Sequence, residues 1–196
     1  VDHIPNALNL EHLKYPKAGT TNPRASIHVA RASDGKVVAC DISSYKKEDE
    51  ILIVRIGWTP ESDRMFFKVQ NREQTWLDLV FADPDTGKTD ILVHETAPYG
   101  WVNVLAMPRW LKDGTFVWES ERTGFKHLYH YDRKGTLKTI ITHGDWEVRS
   151  IVKLDEERGH VTFYGTKDSA IGPNAYRATL DGKRITRLTK GRGTHR

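Results

Sequence analysis

The stretch His127-Leu128-Tyr129-His130-Tyr131-Asp132-Arg133-Lys134-Gly135-Thr136-Leu137-Lys138-Thr139-Ile140 reads as two short strands reversed by an Asp-to-Gly turn. Its flanks are aromatic and β-branched, residues that fit a pleated surface, while Asp and Gly supply the local hydrogen bonds and the positive φ of a tight reversal. The same punctuation recurs on both sides. Asp34-Gly35, Asp85-Thr86-Gly87 and Asp181-Gly182 join it in one series, and the four glycines lie 52, 48 and 47 residues apart. A second series, Glu61-Ser62-Asp63-Arg64, Lys112-Asp113-Gly114 and Asp155 to Gly159, falls about midway between members of the first. A period near fifty residues that holds two hairpins marks a repeat architecture.

Between the turns lie runs of strand length: Ile51 to Ile56, Met65 to Gln70, Trp76 to Ala82 and Asp90 to His94, then Thr115 to Glu119, His127 to Asp132 and Leu137 to Thr142. Val148 to Leu154, His160 to Gly165, Ala175 to Thr179 and Ile185 to Leu188 follow. No window of twelve or more residues carries a 3.6-residue apolar period, and the best helical candidate, Ser43 to Glu50, is too polar to bury a face. The prediction is an all-β chain: a partial β-propeller of about three four-stranded antiparallel blades, preceded by a hairpin from a further blade. The expected divisions of this single propeller fragment are a hairpin at 25–42 and blades at about 49–96, 97–145 and 146–190. Closed propellers carry roughly four to eight blades, so the chain is not expected to close a ring alone. Its open edges should favour self-association or require the missing blades.

With 196 residues, 38% of them hydrophobic, and six Trp, seven Tyr and six Phe, the chain can bury a core, which excludes wholesale disorder. No run approaches the roughly eighteen apolar residues of a membrane helix, so no membrane contact is expected from this segment. The lone Cys40 excludes an intramolecular disulfide framework and a Cys-rich zinc site. The formal charge of +4 arises at one end. Lys183, Arg184, Arg187, Lys190, Arg192 and Arg196 stand in the last fourteen residues without an acid, which leaves 24 basic against 26 acidic residues before them. Such an end reads as a solvated strand and tail, and no nucleic-acid partner is expected. The start, Val1-Asp2-His3-Ile4-Pro5, has neither an initiating Met nor a signal-like segment, so the chain reads as a piece of a longer protein.

Five segments carry a resemblance. Leu13-Lys14-Tyr15-Pro16-Lys17-Ala18-Gly19-Thr20-Thr21-Asn22-Pro23 is the most specific, and Ile56-Gly57-Trp58 with Gln70-Asn71-Arg72-Glu73-Gln74 follows it. Trp118-Glu119-Ser120-Glu121-Arg122-Thr123-Gly124-Phe125-Lys126-His127-Leu128-Tyr129, Thr142-His143-Gly144-Asp145-Trp146-Glu147-Val148 and Leu188 to His195 complete the set. In this order they resemble the N-terminal β-propeller region of the dipeptidyl peptidase IV family of prolyl-specific serine peptidases, with coverage from about residue 5 to 196. The resemblance implies a parent that releases N-terminal Xaa-Pro or Xaa-Ala dipeptides, or tripeptides, with its Ser, Asp and His in a C-terminal α/β-hydrolase domain. It further implies a peptide substrate, a homodimeric parent and a periplasmic or secreted location. The alternative reading is a stand-alone propeller that binds protein or glycan, since propellers host many functions.

The chemistry-bearing residues fit a scaffold. Gly-x-Ser-x-Gly, the strained elbow that lifts a nucleophile, does not occur, and Ser26, Ser33, Ser43, Ser44, Ser62, Ser120, Ser150 and Ser169 sit in strand or turn contexts. No catalytic residue is assigned, and the chain alone is expected to be inactive. The family's glutamate pair for the substrate ammonium lies upstream of the Tyr15 segment, so Glu156-Glu157 reads as a solvated turn. By resemblance, the stretch after Gly100-Trp101-Val102 faces the cavity, which makes Asn103, Val104 and Leu105 the candidate substrate-binding residues, although they lack the aromatic and arginine residues of better-known members. His127 and His130, three apart on a strand, would point to opposite faces, so no shared metal site is expected. Asp83 to Gly87 lacks a distal bidentate acid and reads as a hairpin turn rather than a calcium loop. No cofactor is expected, because no Gly-rich phosphate loop occurs. Tyr15-Pro16 and Asn22-Pro23, on either side of Gly19, read as an extended inter-blade linker. Trp58, Trp110, Trp118 and Trp146 read as wedges between blades.

Overall fold

The computed structural model describes residues 15, 17–47, 50–97, 99–191 and 193–195. Val1 to Pro5, then Leu13, Lys14 and Pro16 of the Tyr15 segment, and Arg192 and Arg196 of the basic end lie outside the described residues. Fourteen strands form one two-stranded and three four-stranded antiparallel sheets, each a plain meander in chain order. Strands β1 (His28–Ala30) and β2 (Val37–Ala39) make the hairpin. Strands β3 (Ile51–Trp58), β4 (Met65–Asn71), β5 (Trp76–Ala82) and β6 (Thr89–Thr96) make the first full sheet. Strands β7 (Arg109–Trp110), β8 (Phe116–Ser120), β9 (His127–Tyr131) and β10 (Leu137–Ile140) make the second. Strands β11 (Val148–Asp155), β12 (His160–Gly165), β13 (Asn174–Thr179) and β14 (Ile185–Arg187) make the third. Among the described residues the only helical turn is a 3-10 turn at Ser43–Tyr45, at the head of the stretch read as too polar for a packed helix. The fold is a partial β-propeller.

The core is laid down between sheets. Ile27, Val29 and Cys40 of the hairpin region pack on Met65, Phe67 and Val69, one face of β4. Phe66 of the opposite face, with Leu77, Leu79 and Phe81 of β5, meets Phe116, Trp118, Tyr129 and Tyr131 of the second sheet. Val117 and Leu128, from the far side of that sheet, meet Trp146, Val161, Phe163 and Tyr176 of the third. Every residue of β4, β8 and β9 is therefore buried, because each of these strands has a sheet on both sides. In β12 burial alternates strictly, with Val161, Phe163 and Gly165 inward, since among the described residues no further sheet covers the outer face of the third.

The tryptophans divide. Trp110 lies 5.3 Å from both Phe66 and Phe81 and 4.8 Å from Phe116, a wedge between the first two full sheets. Trp118 is buried beside it, and Trp146 stacks 6.0 Å from Phe163. Trp58 departs from the expectation: it is 47% exposed. It pairs with Met65 at the far end of β3, away from Ile51 and Ile53, the residues of that strand that pack on the core cluster shared with the hairpin.

Candidate functional site

A cleft opens between the first and second full sheets where β4, β6 and β8 end. Lys68, Glu95, Trp118, Glu119 and Arg122 form its walls, Trp101, Asn103 and Leu105 close one side, and the space is about 50 Å³. A polar space of that size holds a few waters. The closing side belongs to the irregular connection 97–108 between β6 and β7, which has few ladder bonds of its own. Its backbone is tied to the β4–β5 turn by the Val102 N–H, which donates to the Gln74 carbonyl at 2.7 Å, and Gln74 itself sits at φ 62° in that turn. Asn71 organises that turn by donating to Thr75 at 2.8 Å and accepting from the Trp76 N–H at 3.2 Å. The Gln70 to Gln74 stretch of the family resemblance is thus a turn staple that also steadies the connection.

The three candidate residues meet different fates. Asn103 accepts from Trp101 Nε1 at 3.1 Å and donates to Glu121 Oε2 at 2.6 Å, so its amide ties the connection to the β8–β9 turn. Leu105 borders the cleft and offers its carbonyl inward. Val104 packs against the core cluster behind. The structure brings Asn103 and Leu105 to the cleft and turns Val104 away from it.

Glu95, Lys68 and Glu119 are buried charges of the wall, and the first two did not stand out in the sequence. Glu95 accepts from Trp118 Nε1 and Ser120 Oγ, both at 2.8 Å, and from Arg122 at 2.5 Å. Arg122 in turn lies 4.3 Å over the Tyr129 ring, and the Glu95 carboxylate holds its guanidinium above the usual range against the opposing effect of burial. The Trp118-x-Ser120-x-Arg122 spacing is the means of surrounding one carboxylate from the previous sheet. Lys68 is the second charge. It is fully buried, its Nζ donates to the Leu105 and Ala106 carbonyls at 3.0 and 2.9 Å, and it sits 4.4 Å over the Trp118 ring. Burial lowers its pKa to about 8, against the opposing pull of Glu119. The available signal was a lysine between Phe67 and Val69 in a run that is apolar from Met65 to Val69 on either side of it, a position that a solvated lysine would not occupy.

The remaining candidates are engaged elsewhere. His127 bonds Thr142 Oγ1 at 3.0 Å and the Gly144 carbonyl at 2.9 Å, whereas His130 bonds Thr115 Oγ1 at 2.8 Å. Burial lowers the pKa of both. Among the described residues no group of three or more His, Cys, Asp or Glu side chains could hold a metal ion. Asp83 Oδ1 accepts from the backbone N–H groups of Asp85 and Thr86 at 2.9 and 2.8 Å, which closes the turn from within. Glu157 is exposed, but Glu156 is not merely solvated: it accepts from the Lys112 N–H at 2.8 Å and joins turns of two sheets.

Comparison with known proteins agrees with this geometry. The chain superposes on the crystal structure of Porphyromonas gingivalis dipeptidyl peptidase 4 with a TM-score of 0.80 and 27% identity, over 92% of its own length and 25% of that chain. It is 26% identical over 185 residues to dipeptidyl peptidase 4 of Arthroderma otae, covering 92% of this chain and 24% of the relative. The chain thus spans about a quarter of the length of the proteins it matches. A family model described as the dipeptidyl peptidase IV (DPP IV) N-terminal region matches residues 4–196, and with all but three residues inside the match the chain belongs to that family.

Proposed function

We propose that this chain is the substrate-gating, non-catalytic propeller part of a serine exopeptidase that releases N-terminal Xaa-Pro or Xaa-Ala dipeptides or tripeptides. The observation that carries the reading is the superposition on a dipeptidyl peptidase 4 over nearly the whole chain. In this reading the catalytic Ser, Asp and His are supplied by an α/β-hydrolase domain of a longer polypeptide, which works as a homodimer in the periplasm or outside the cell. The blades act by shape: a wall of sheets beside the hydrolase excludes folded chains and admits short peptides. Asn103 and Leu105, on the connection that borders the cleft, face the peptide near the cleaved bond. Val104 supports them from the core side.

The test is hydrolysis of a Gly-Pro chromogenic amide by this chain and by the full-length polypeptide, side by side. The expected result is an inactive chain and an active full-length protein that cleaves short peptides far faster than intact folded proteins. Activity in the chain alone would contradict the assignment of a scaffold, and inactivity in both would favour a protein- or glycan-binding module.

A further inference from the structure

The connection 97–108 is irregular, yet its middle is held from beneath by one strand. Phe66, Lys68 and Gln70 alternate on the face of β4 turned to the second full sheet. Gln70 Nε2 donates to the Val102 carbonyl at 2.6 Å, and Lys68 Nζ reaches the Leu105 and Ala106 carbonyls. No carboxylate lies within 4 Å of Lys68 among the described residues, so its ammonium contacts two backbone carbonyls and the Trp118 ring, with Glu119 and Glu95 acting on it only from farther away. A buried charge with no counter-ion in contact is expensive, and an apolar side chain of similar volume would suit the core at least as well. What an apolar side chain could not do is fix where Leu105 and Ala106 lie. We propose that Lys68 is the positioning residue of the substrate-facing segment: from the floor of the cleft it sets the path of 104–107 and hence the shape of the wall that meets the peptide.

The consequence for catalysis rests on the reading that this segment faces substrate; the positioning itself does not. Lys68 touches no reacting atom, so its loss should act on binding rather than on chemistry. The ties at Val102, its N–H to the Gln74 carbonyl and its carbonyl from Gln70, are independent of Lys68 and serve as an internal control.

The experiment compares the full-length polypeptide with its Lys68→Met and Lys68→Arg variants by hydrogen exchange and by steady-state kinetics on an Xaa-Pro amide. In Lys68→Met, amides 104–107 should exchange at least tenfold faster, while Val102 and the strands of the first full sheet are unchanged. KM should rise about fivefold with kcat within twofold, and Lys68→Arg, which keeps the donors, should recover most of both effects. Unchanged exchange at 104–107 would overturn the proposal, and so would a Lys68→Arg variant as loose as Lys68→Met. Loosened exchange with an unchanged KM would uphold the positioning and overturn the substrate-facing reading instead. Should Lys68→Met fail to fold, Lys68→Gln, which keeps a donor too short to span both carbonyls, carries the same comparison.

Discussion

Gly135 shows why the repeat is punctuated by glycine. Its φ is 82°, and a Cβ built on it would stand 2.1 Å from the Leu92 carbonyl oxygen of β6 in the previous sheet. Gly87 meets the Ala39 carbonyl of β2 at the same distance, and Gly182 meets the Ile140 carbonyl of β10 at 2.5 Å. In each case the turn between the last two strands of a sheet abuts the outermost strand of the sheet before it, so the residue must have both a left-handed backbone and no side chain. Gly35, first of the series, has φ 72° but nothing within 4 Å of its Cβ position. Gly35→Ala should therefore lose only the left-handed penalty of about 1 kcal/mol. Gly135→Ala should lose at least twice that, because backbone must move, and urea melts of the two variants check the ranking. Lys68 supplies a second prediction, with an unusual sign. Its folded-state pKa of about 8 lies below the usual 10.5. Below pH 8 both folded and unfolded chains hold the proton, and the burial penalty is felt in full. Between roughly pH 8 and 10 the unfolded chain binds a proton that the folded chain does not, so stability rises with pH. Relative to Lys68→Met, the wild-type chain should gain roughly 2 kcal/mol between pH 7.5 and 10, read from paired urea melts; no gain would show that the ammonium is not desolvated as placed.

At the scale of elements, strands were legible where residue type and turn chemistry agreed. Asp132 and Gly135 closed a turn between runs of aromatic and β-branched residues, and β9 and β10 lie on either side of it. The four-stranded meander followed from the spacing of such turns. What the sequence did not disclose was how elements meet. Met65 to Asn71 reads as a strand from its residues, but that Lys68 within it would be entirely buried depends on a sheet packed on each side and a connection folded over it. Glu95 was equally silent, since its three donors come from a segment more than twenty residues away. The Trp118 to Arg122 motif was visible as a family signature without its physical reason, which is this one carboxylate. Glu95→Leu should accordingly unpair three donors in a buried seam and destabilise the chain by about 3 kcal/mol. Trp110 tests the same seam from its apolar side. Its ring contacts both sheets, but its buried Nε1 has no partner among the described residues. Trp110→Ala should lose about 3 kcal/mol, whereas Trp110→Phe, which keeps much of the aromatic contact and removes the orphaned donor, should come within 1 kcal/mol of wild type. Thermal melts of the pair separate shape from hydrogen bonding.

The whole molecule is a row of sheets in which each touches only its neighbours, so its stability is a sum of sheet and seam contributions rather than a single cooperative core. The two seams between full sheets are unequal. The seam between the first and second full sheets combines ten buried core residues with the Glu95 network and the Lys68 tie. The seam between the second and third also buries ten core residues and adds the Glu156 bond to Lys112, but no described residue forms a sheet on the far side of the third. Its outward residues in β12, such as Thr162 and Tyr164, stay partly exposed and contribute little to folding in this chain. With one face packed instead of two, β11–β14 forms the weakest full unit and should open first. Two probes would report it. Hydrogen exchange of the isolated chain should give amides of β4, β8 and β9 protection factors at least tenfold higher than those of β12 and β13, because sub-global opening of the third sheet exposes the latter without unfolding the rest. Urea should then produce two transitions. The first would carry the signal of Trp146 and the second that of Trp110 and Trp118, which Trp→Phe variants can assign one at a time. A single transition with coincident probes would mean that the second seam is as strong as the first and that the row behaves as one unit. Two transitions would explain why a propeller wall of this kind depends on the sheets beside it: each added sheet covers the bare face of the one before and turns a half-packed unit into one buried on both sides.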